Sequence, residues 1–249
     1  MVYRRKLRTF FEQSQQIRLS APVCRGLLDD VPQIFTVELV SEARPSKIIC
    51  IGRNYVAHIR ELQNEVPDSP VVFLKPPSSI ISSGGQIVIP PASNDVHHEV
   101  ELVVEIGVEC RNVPAEDAMS VIRAYAVGLD LTARDLQSIA KKKGLPWTVA
   151  KGFDTFAPLG PFAPAGGIDP GNLDIRLEVN GAVRQDGNTS LMIYPLPALI
   201  AYVSSVFTLM PGDLLYTGTP EGVGPIARGD RLVGTITGLP RLEVSVART

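Results

Sequence analysis

Cysteine is scarce, with three in 249 residues, at positions 24, 50 and 110. An odd number with no C-x-x-C spacing excludes a disulfide framework and a zinc knuckle, and it suits a reducing compartment. Charge of one sign is lacking too. Lys and Arg number 24 against 26 Asp and Glu, a formal net charge of -2, so no global basic field draws the chain to nucleic acid or anionic lipid. No apolar run reaches the length of a membrane span, and the amino terminus lacks the charged-then-apolar order of a secretory signal. Internal repeats and low-complexity tracts are absent. What remains is the expectation of a cytoplasmic chain, long enough to bury one main domain plus an appendage. Residues 1–45 carry no sharp motif and are read as that appendage, with residues 46–249 as the main domain. Within the appendage, residues 1–18 are Arg-rich with one acid, Glu12, in faint likeness to an organelle transit peptide but read first as a surface helix or frayed tail, and residues 34–40 have strand composition.

What is present centres on His97-His98-Glu99-Val100-Glu101-Leu102-Val103-Val104-Glu105. Strand side chains alternate, so Glu99 and Glu101 share one face while Val100, Leu102 and Val104 enter an apolar layer on the other. Two like charges at that spacing conflict unless a counter-ion meets them. A divalent cation removes the conflict, and an oxygen-only ligand set favours Mg²⁺, Mn²⁺ or Ca²⁺ over Zn²⁺. The plain alternative is a half-exposed strand with a charged outer face. Residues 126–133 read as a further apolar strand interrupted by Asp130, and a lone acid there needs a partner. Placing Asp130 with Glu99 and Glu101 on one ion leaves open positions, as Lewis-acid catalysis requires.

Other segments supply candidate chemistry. His58 and Glu61 stand three apart in a short helical turn, within hydrogen-bonding reach, and a carboxylate orients an imidazole and raises its basicity. Lys75 ends a compact strand, where it faces either solvent or an anionic ligand. Residues 115–125 have helical propensity with an acidic first turn. A helix from about Thr132 sets Arg134 and Gln137 on one face, and Lys141-Lys142-Lys143-Gly144 reads as a solvated turn. Lys151 lies between Ala150 and Gly152, where low crowding admits a ligand. Asn180-Gly181 marks a two-residue hairpin. Leu196, Leu199, Ile200, Val203, Val206 and Phe207 fall on the face of a buried helix. The glycine-rich loop at 217–225 offers amide groups to a carboxylate but lacks the ending of a phosphate loop.

Taken in order, Gly52-Arg53-Asn54-Tyr55 with His58, Phe73-Leu74-Lys75-Pro76, His98-Glu99-Val100-Glu101, Asp130-Leu131-Thr132-Ala133-Arg134-Asp135, Lys143-Gly144-Leu145-Pro146-Trp147, Lys151-Gly152-Phe153 and Thr217-Gly218-Thr219-Pro220 closely resemble the fumarylacetoacetate hydrolase family, in its small acylpyruvase and oxaloacetate decarboxylase branch. The resemblance runs from about Lys47 to the end. It implies a mainly β (α+β) fold, a mixed-sheet roll or sandwich with short helices, and a homodimer. It also implies Glu99, Glu101 and Asp130 as ligands of Mg²⁺ or Mn²⁺, a His58–Glu61 dyad on a lid, and Lys151 directed at the bound ligand. Arg53, Lys75, Arg134, Gln137 and Thr219 become substrate-binding candidates. Residues 46–249 are then the catalytic domain, with a small keto acid as partner.

The leading expectation is hydrolysis of the carbon–carbon bond of an acylpyruvate, with His58 activating water and Lys151 stabilising the leaving enolate of pyruvate. The alternative is decarboxylation or keto–enol isomerisation of oxaloacetate or of a longer unsaturated diacid such as 2-hydroxyhepta-2,4-diene-1,7-dioate. More remote is a non-catalytic keto-acid-binding protein.

Overall fold

The computed structural model describes residues 44–63 and 65–247, all within the unit Glu42–Thr249. All but the last two residues of the expected appendage lie outside the described residues, among them the 34–40 strand, the Arg-rich start and Cys24. The strands are Ile48–Gly52 (β1), Val71–Lys75 (β2), Ile80–Ser82 (β3), Gln86–Ile87 (β4), Val96–His98 (β5), Val100–Ile106 (β6), Ile122–Leu129 (β7) and Thr132–Ala133 (β8). They continue as Ala157–Leu159 (β9), Ala163–Pro164 (β10), Asp174–Val179 (β11), Ala182–Asn188 (β12), Leu214–Tyr216 (β13), Gly224–Pro225 (β14), Arg231–Ile236 (β15) and Leu242–Val246 (β16). Helices are Val56–Glu61 (α1), Arg134–Lys143 (α2), Thr148–Lys151 (α3) and Leu196–Val206 (α4).

The largest sheet runs β2-β1-β13-β6-β7-β9-β3 with β10 added on β7, the second runs β12-β11-β15-β16-β4, and β14-β5-β8 makes a small third. Most pairs are antiparallel, while β1 with β13, β4 with β16 and β3 with β9 run parallel. The architecture is therefore the mixed, mainly β α+β fold that was expected. At the Asn180-Gly181 turn both residues have positive φ, 54° and 79°, the conformation that joins β11 to β12 most tightly.

β6 is buried along its whole length. Val100, Leu102 and Val104 enter the main core with Leu177 and Leu232, while Val103 on the other face packs with Cys50, Ala126 and Tyr216. A half-exposed strand with a charged outer face is thus excluded, because Glu99 and Glu101 lie on a face that is itself covered. Each buried Val or Leu contributes about 2 kcal/mol, which offsets the cost of enclosing acids beside them.

Three expectations are corrected. Residues 115–125 do not form one helix. A 3-10 helix spans Ala115–Val121 and β7 begins at Ile122, because pairing of Ala124 and Tyr125 with Glu105 and Val104 outweighs local helix propensity. Nor is 126–133 one strand. β7 stops at Leu129, and the Asp130 amide donates to the Glu99 carbonyl at 2.8 Å before β8 pairs with β5. In α4, Val206 is 52% exposed rather than on the buried face.

Gly128 allows β6, β7 and β13 to close over one another. A Cβ there would stand 2.6 Å from the Tyr216 ring and closer still to Val103, and both neighbours are held in the core. Gly128→Ala is expected to cost about 1–3 kcal/mol through overpacking, read as a lower urea midpoint with unchanged slope. An unaltered midpoint would mean that this layer has slack.

Candidate metal centre and active site

Glu99 occupies the joint between β5 and β6, Glu101 lies in β6, and Asp130 follows β7. The break after Leu129 brings Asp130 beside the other two. One oxygen from each of the three lies within 4.8 Å of the others, and all three residues are buried. Acids from two separate stretches of chain therefore converge as expected.

The counter-charge expected from a metal alone is instead supplied in part by protein cations. Lys151 Nζ bridges Glu99 Oε2 at 2.8 Å and Asp130 Oδ2 at 2.5 Å, and Arg134 forms an ion pair with Glu99 Oε1. Burial opposes ionisation of Glu99, but Lys151 and Arg134 overcome it and hold the carboxyl well below its ordinary range. Burial likewise opposes the Lys151 charge, and Asp130 and Glu99 reverse that and raise its pKa.

Lys75 is also corrected. It lies beneath the site, 1% exposed, and is not among the residues that line the cleft. Its ammonium donates to the carbonyls of Leu131, Lys151 and Phe156. Those three bonds use all three of its protons, so Asp130 Oδ1, 2.8 Å away, feels the charge without receiving a hydrogen bond.

Protein cations therefore do not saturate the cluster. Among the described residues Asp130 Oδ1 is buried without a hydrogen-bond donor, and Glu101 accepts only the Gly218 amide, at 2.8 Å. Burial, Asp130 and Glu99 push the Glu101 carboxyl well above its ordinary range. A crowded, oxygen-only donor set with unspent lone pairs fits a hard divalent ion.

Across the cleft, His58 Nδ1 lies 3.3 Å from Glu61 Oε2, and Glu61 is anchored by the Gly222 amide at 3.1 Å. Burial lowers the His58 pKa, with Glu99 and Glu61 pulling it partly back, so the imidazole is neutral near pH 7. The glycine-rich loop does offer amides to carboxylates, as expected, but the carboxylates are the protein's own. The cleft is lined in addition by Arg53, Arg134, Gln137, Lys141, Trp147, Lys151 and Thr219. Gln137 accepts from Arg134 at 2.8 Å, and the Thr219 hydroxyl donates to the Val100 carbonyl and accepts from Gln185.

Sequence reasoning missed Lys141, read as part of a solvated turn, and the buried His98–Gln185 pair. Gln185 Oε1 accepts from the Val100 amide and bonds His98 Nδ1, each at 3.0 Å, so it grips the chain on either side of Glu99. The His-His-Glu-Val-Glu string offered a signal for His98, whereas nothing local marks Gln185.

The described chain matches the model of the fumarylacetoacetate (FAA) hydrolase C-terminal family over residues 47–247. The chain belongs to the fumarylacetoacetate hydrolase family. A mitochondrial oxaloacetate tautomerase of Arabidopsis thaliana is 52% identical over 82% of this chain and 92% of that protein. A mitochondrial oxaloacetate decarboxylase of Dictyostelium discoideum is 50% identical over 78% and 89%. Among solved family structures, the fumarylpyruvate hydrolase of Pseudomonas aeruginosa in complex with Mn²⁺ and pyruvate is 39% identical, with a TM-score of 0.78 over 82% of this chain and 90% of that one. Membership fits an enzyme, while the relatives' names span tautomerase, decarboxylase and hydrolase. Among the described residues no helix is long and apolar enough to cross a membrane.

Because the folded state raises the Glu101 pKa, stability that the protonated acid contributes is lost as pH rises through that value. Glu101→Gln keeps the shape and an acceptor for Gly218. Without metal at pH 7 it should melt no lower than wild type, and by up to a few degrees higher, while the rise in Tm on adding Mn²⁺ should vanish. A Mn²⁺ shift equal to wild type would remove Glu101 from the ligand set.

Proposed function

We propose that this protein interconverts the keto and enol forms of oxaloacetate, with Mg²⁺ or Mn²⁺ held by Glu99, Glu101 and Asp130. The observation that carries the reading is a buried His58 lining one cleft with Glu99 and Glu101, with Glu61 fixed behind it by the Gly222 amide. The 52% identity to an oxaloacetate tautomerase supports the choice of reaction. Glu99, Glu101 and Asp130 would hold the ion, which would supply Lewis-acid polarisation of a 2-keto acid and stabilisation of developing enolate charge.

The chain's own residues do the proton work. Glu61 accepts from His58 Nδ1–H, which selects the tautomer whose Nε2 lone pair is free. Nε2 takes a proton from C3 of the keto form and returns one in the reverse direction. Lys151, kept protonated by Glu99 and Asp130, holds positive charge in the cluster as negative charge moves from carbon to oxygen, and in this reading water supplies the enol oxygen's proton and takes it back in reverse. Arg134, tied to Glu99 and Gln137, holds one wall of the cleft rigid. Preorganised charge of this kind needs no rearrangement at the moment of reaction.

Acylpyruvate hydrolysis is the second reading, favoured by the same dyad, since a histidine oriented by a carboxylate also suits water activation. The fumarylpyruvate hydrolase neighbour supports it.

The test follows the ultraviolet absorbance of enol-oxaloacetate with Mg²⁺ or Mn²⁺, alongside pyruvate release from oxaloacetate and from acetylpyruvate. Tautomerisation should dominate, fall about 10²-fold or more in His58→Ala, and lose rate on acidification only below the ordinary imidazole value of about 6.5. Faster pyruvate release from acetylpyruvate would transfer the assignment to hydrolysis. Decarboxylation that outpaces tautomerisation and survives His58→Ala would make the protein a decarboxylase.

A further inference from the structure

Among the described residues four Lys and Arg side chains line the cleft: Arg53, Arg134, Lys141 and Lys151. Two are spoken for. Lys151 is held by Glu99 and Asp130, and Arg134 by Glu99 and Gln137. Arg53 and Lys141 have neither an ion pair nor a hydrogen bond from their side chains to any of the described residues, and Arg53 Nε is buried with no acceptor. A half-buried cation without an acid gives up hydration for nothing unless a ligand supplies the anion.

Lys141 is not a free surface lysine. Its ammonium lies 5.4 Å above the Trp147 ring, and Trp147 leans on Phe73 with centroids 5.7 Å apart. The aromatic wall fixes the ammonium at the cleft. Burial, with Arg53 and Arg134 adding repulsion, lowers its pKa to about 8. An anion arriving there would relieve both effects.

The balance of charge points the same way. In the acidic cluster Lys75, Arg134 and Lys151 are engaged by Glu99 and Asp130, and Glu101 accepts the Gly218 amide. Arg53 and Lys141 stand in excess even before a divalent ion is added. A monoanionic keto acid that spends its carboxylate at the metal end leaves this pair unmet, whereas a dicarboxylate has a second carboxylate for it.

From this we infer that Arg53 and Lys141 form a second-carboxylate clamp that makes the site selective for dicarboxylic keto acids over monocarboxylic ones. The inference rests on the keto-acid reading above and deepens it. Lys141 is then a specificity-determining residue that takes no part in proton transfer.

The test separates the clamp from the reaction by using unreactive probes with full-length protein and Mg²⁺. Calorimetry compares malate, a dianion, with 2-hydroxybutyrate, which has a methyl group in place of the second carboxylate. Wild type should bind malate at least about tenfold more tightly, the equivalent of one charge-assisted contact of about 1.4 kcal/mol. Lys141→Met, which keeps an apolar stem against Trp147, should lose most of that preference while changing 2-hydroxybutyrate affinity less than twofold. Lys141→Arg should restore the preference, and Arg53→Gln should reduce it independently.

Equal binding of the two probes by wild type would overturn the clamp, as would equal loss of both in Lys141→Met. Kinetics distinguish its failure from that of the tautomerase reading. A Lys141-dependent malate preference in a protein inert toward oxaloacetate would retain the clamp and dismiss the reaction. Rapid turnover of oxaloacetate with no discrimination against its 4-methyl ester, unchanged in Lys141→Met, would do the reverse.

Discussion

Enclosing three carboxylates in one protein interior is the constraint around which this structure is arranged. Each acid, left alone there, would lose its charge or destabilise the fold. The chain answers with specific and unequal compensation. Glu99 is held ionised by Lys151 and Arg134, Asp130 is met by Lys151 and by the charge of Lys75, and Glu101 has one backbone amide. The asymmetry matters chemically. Full neutralisation would leave no reason for an ion to bind, while no neutralisation would leave three repelling acids to splay apart. The observed state lies between, with Lys151 keeping Glu99 and Asp130 together and Glu101 the least satisfied of the three.

A single loop ties this cluster to the His58–Glu61 pair. The Gly218 amide donates to Glu101, and four residues on the Gly222 amide donates to Glu61. Both glycines have positive φ, 100° and 89°, and a Cβ at Gly222 would collide with the Arg184 carbonyl. Backbone at these two positions approaches its neighbours too closely for any larger residue. Placement of His58 relative to the acidic cluster therefore passes through Glu61, a short stretch of backbone and Glu101. Such rigidity is what positioning a base against a polarised carbonyl demands, since small displacements cost large factors in rate.

How far the sequence revealed this depended on whether the cause was local. Alternation along 99–104 disclosed both the carboxylate face and the apolar face, because strand geometry alone sets them. The hairpin at Asn180-Gly181 was legible for the same reason, and so was the three-residue spacing of His58 and Glu61. What sequence did not disclose came from distant contacts. Lys75 looked like a strand-edge lysine because its three carbonyl partners come from Leu131, Lys151 and Phe156. Lys141 looked solvated because Lys142 and Lys143 follow it, and its place over the Trp147 ring, itself packed on Phe73, is visible only in the structure. Gln185 meets His98 and Val100 across 87 and 85 residues, a pairing that no window of sequence contains. The helix expected through Tyr125 failed because pairing with β6 outweighs local propensity.

The spread of reactions among the relatives' names follows from the same charge arrangement. Tautomerisation, decarboxylation and hydrolysis next to a 2-keto acid all pass through enolate charge at the same oxygens, and a cluster that stabilises this charge serves all three. What divides them lies outside the cluster: whether a base faces carbon or water, and which groups hold the far end of the substrate. In the proposed reaction His58 decides the first question. The second falls to side chains that the acidic cluster has not already engaged, and in this cleft Arg53 and Lys141 are cations of that kind. Reaction class can therefore change within such a fold without disturbing its buried carboxylates, because Arg53 and Lys141 form no ion pair or hydrogen bond with them among the described residues.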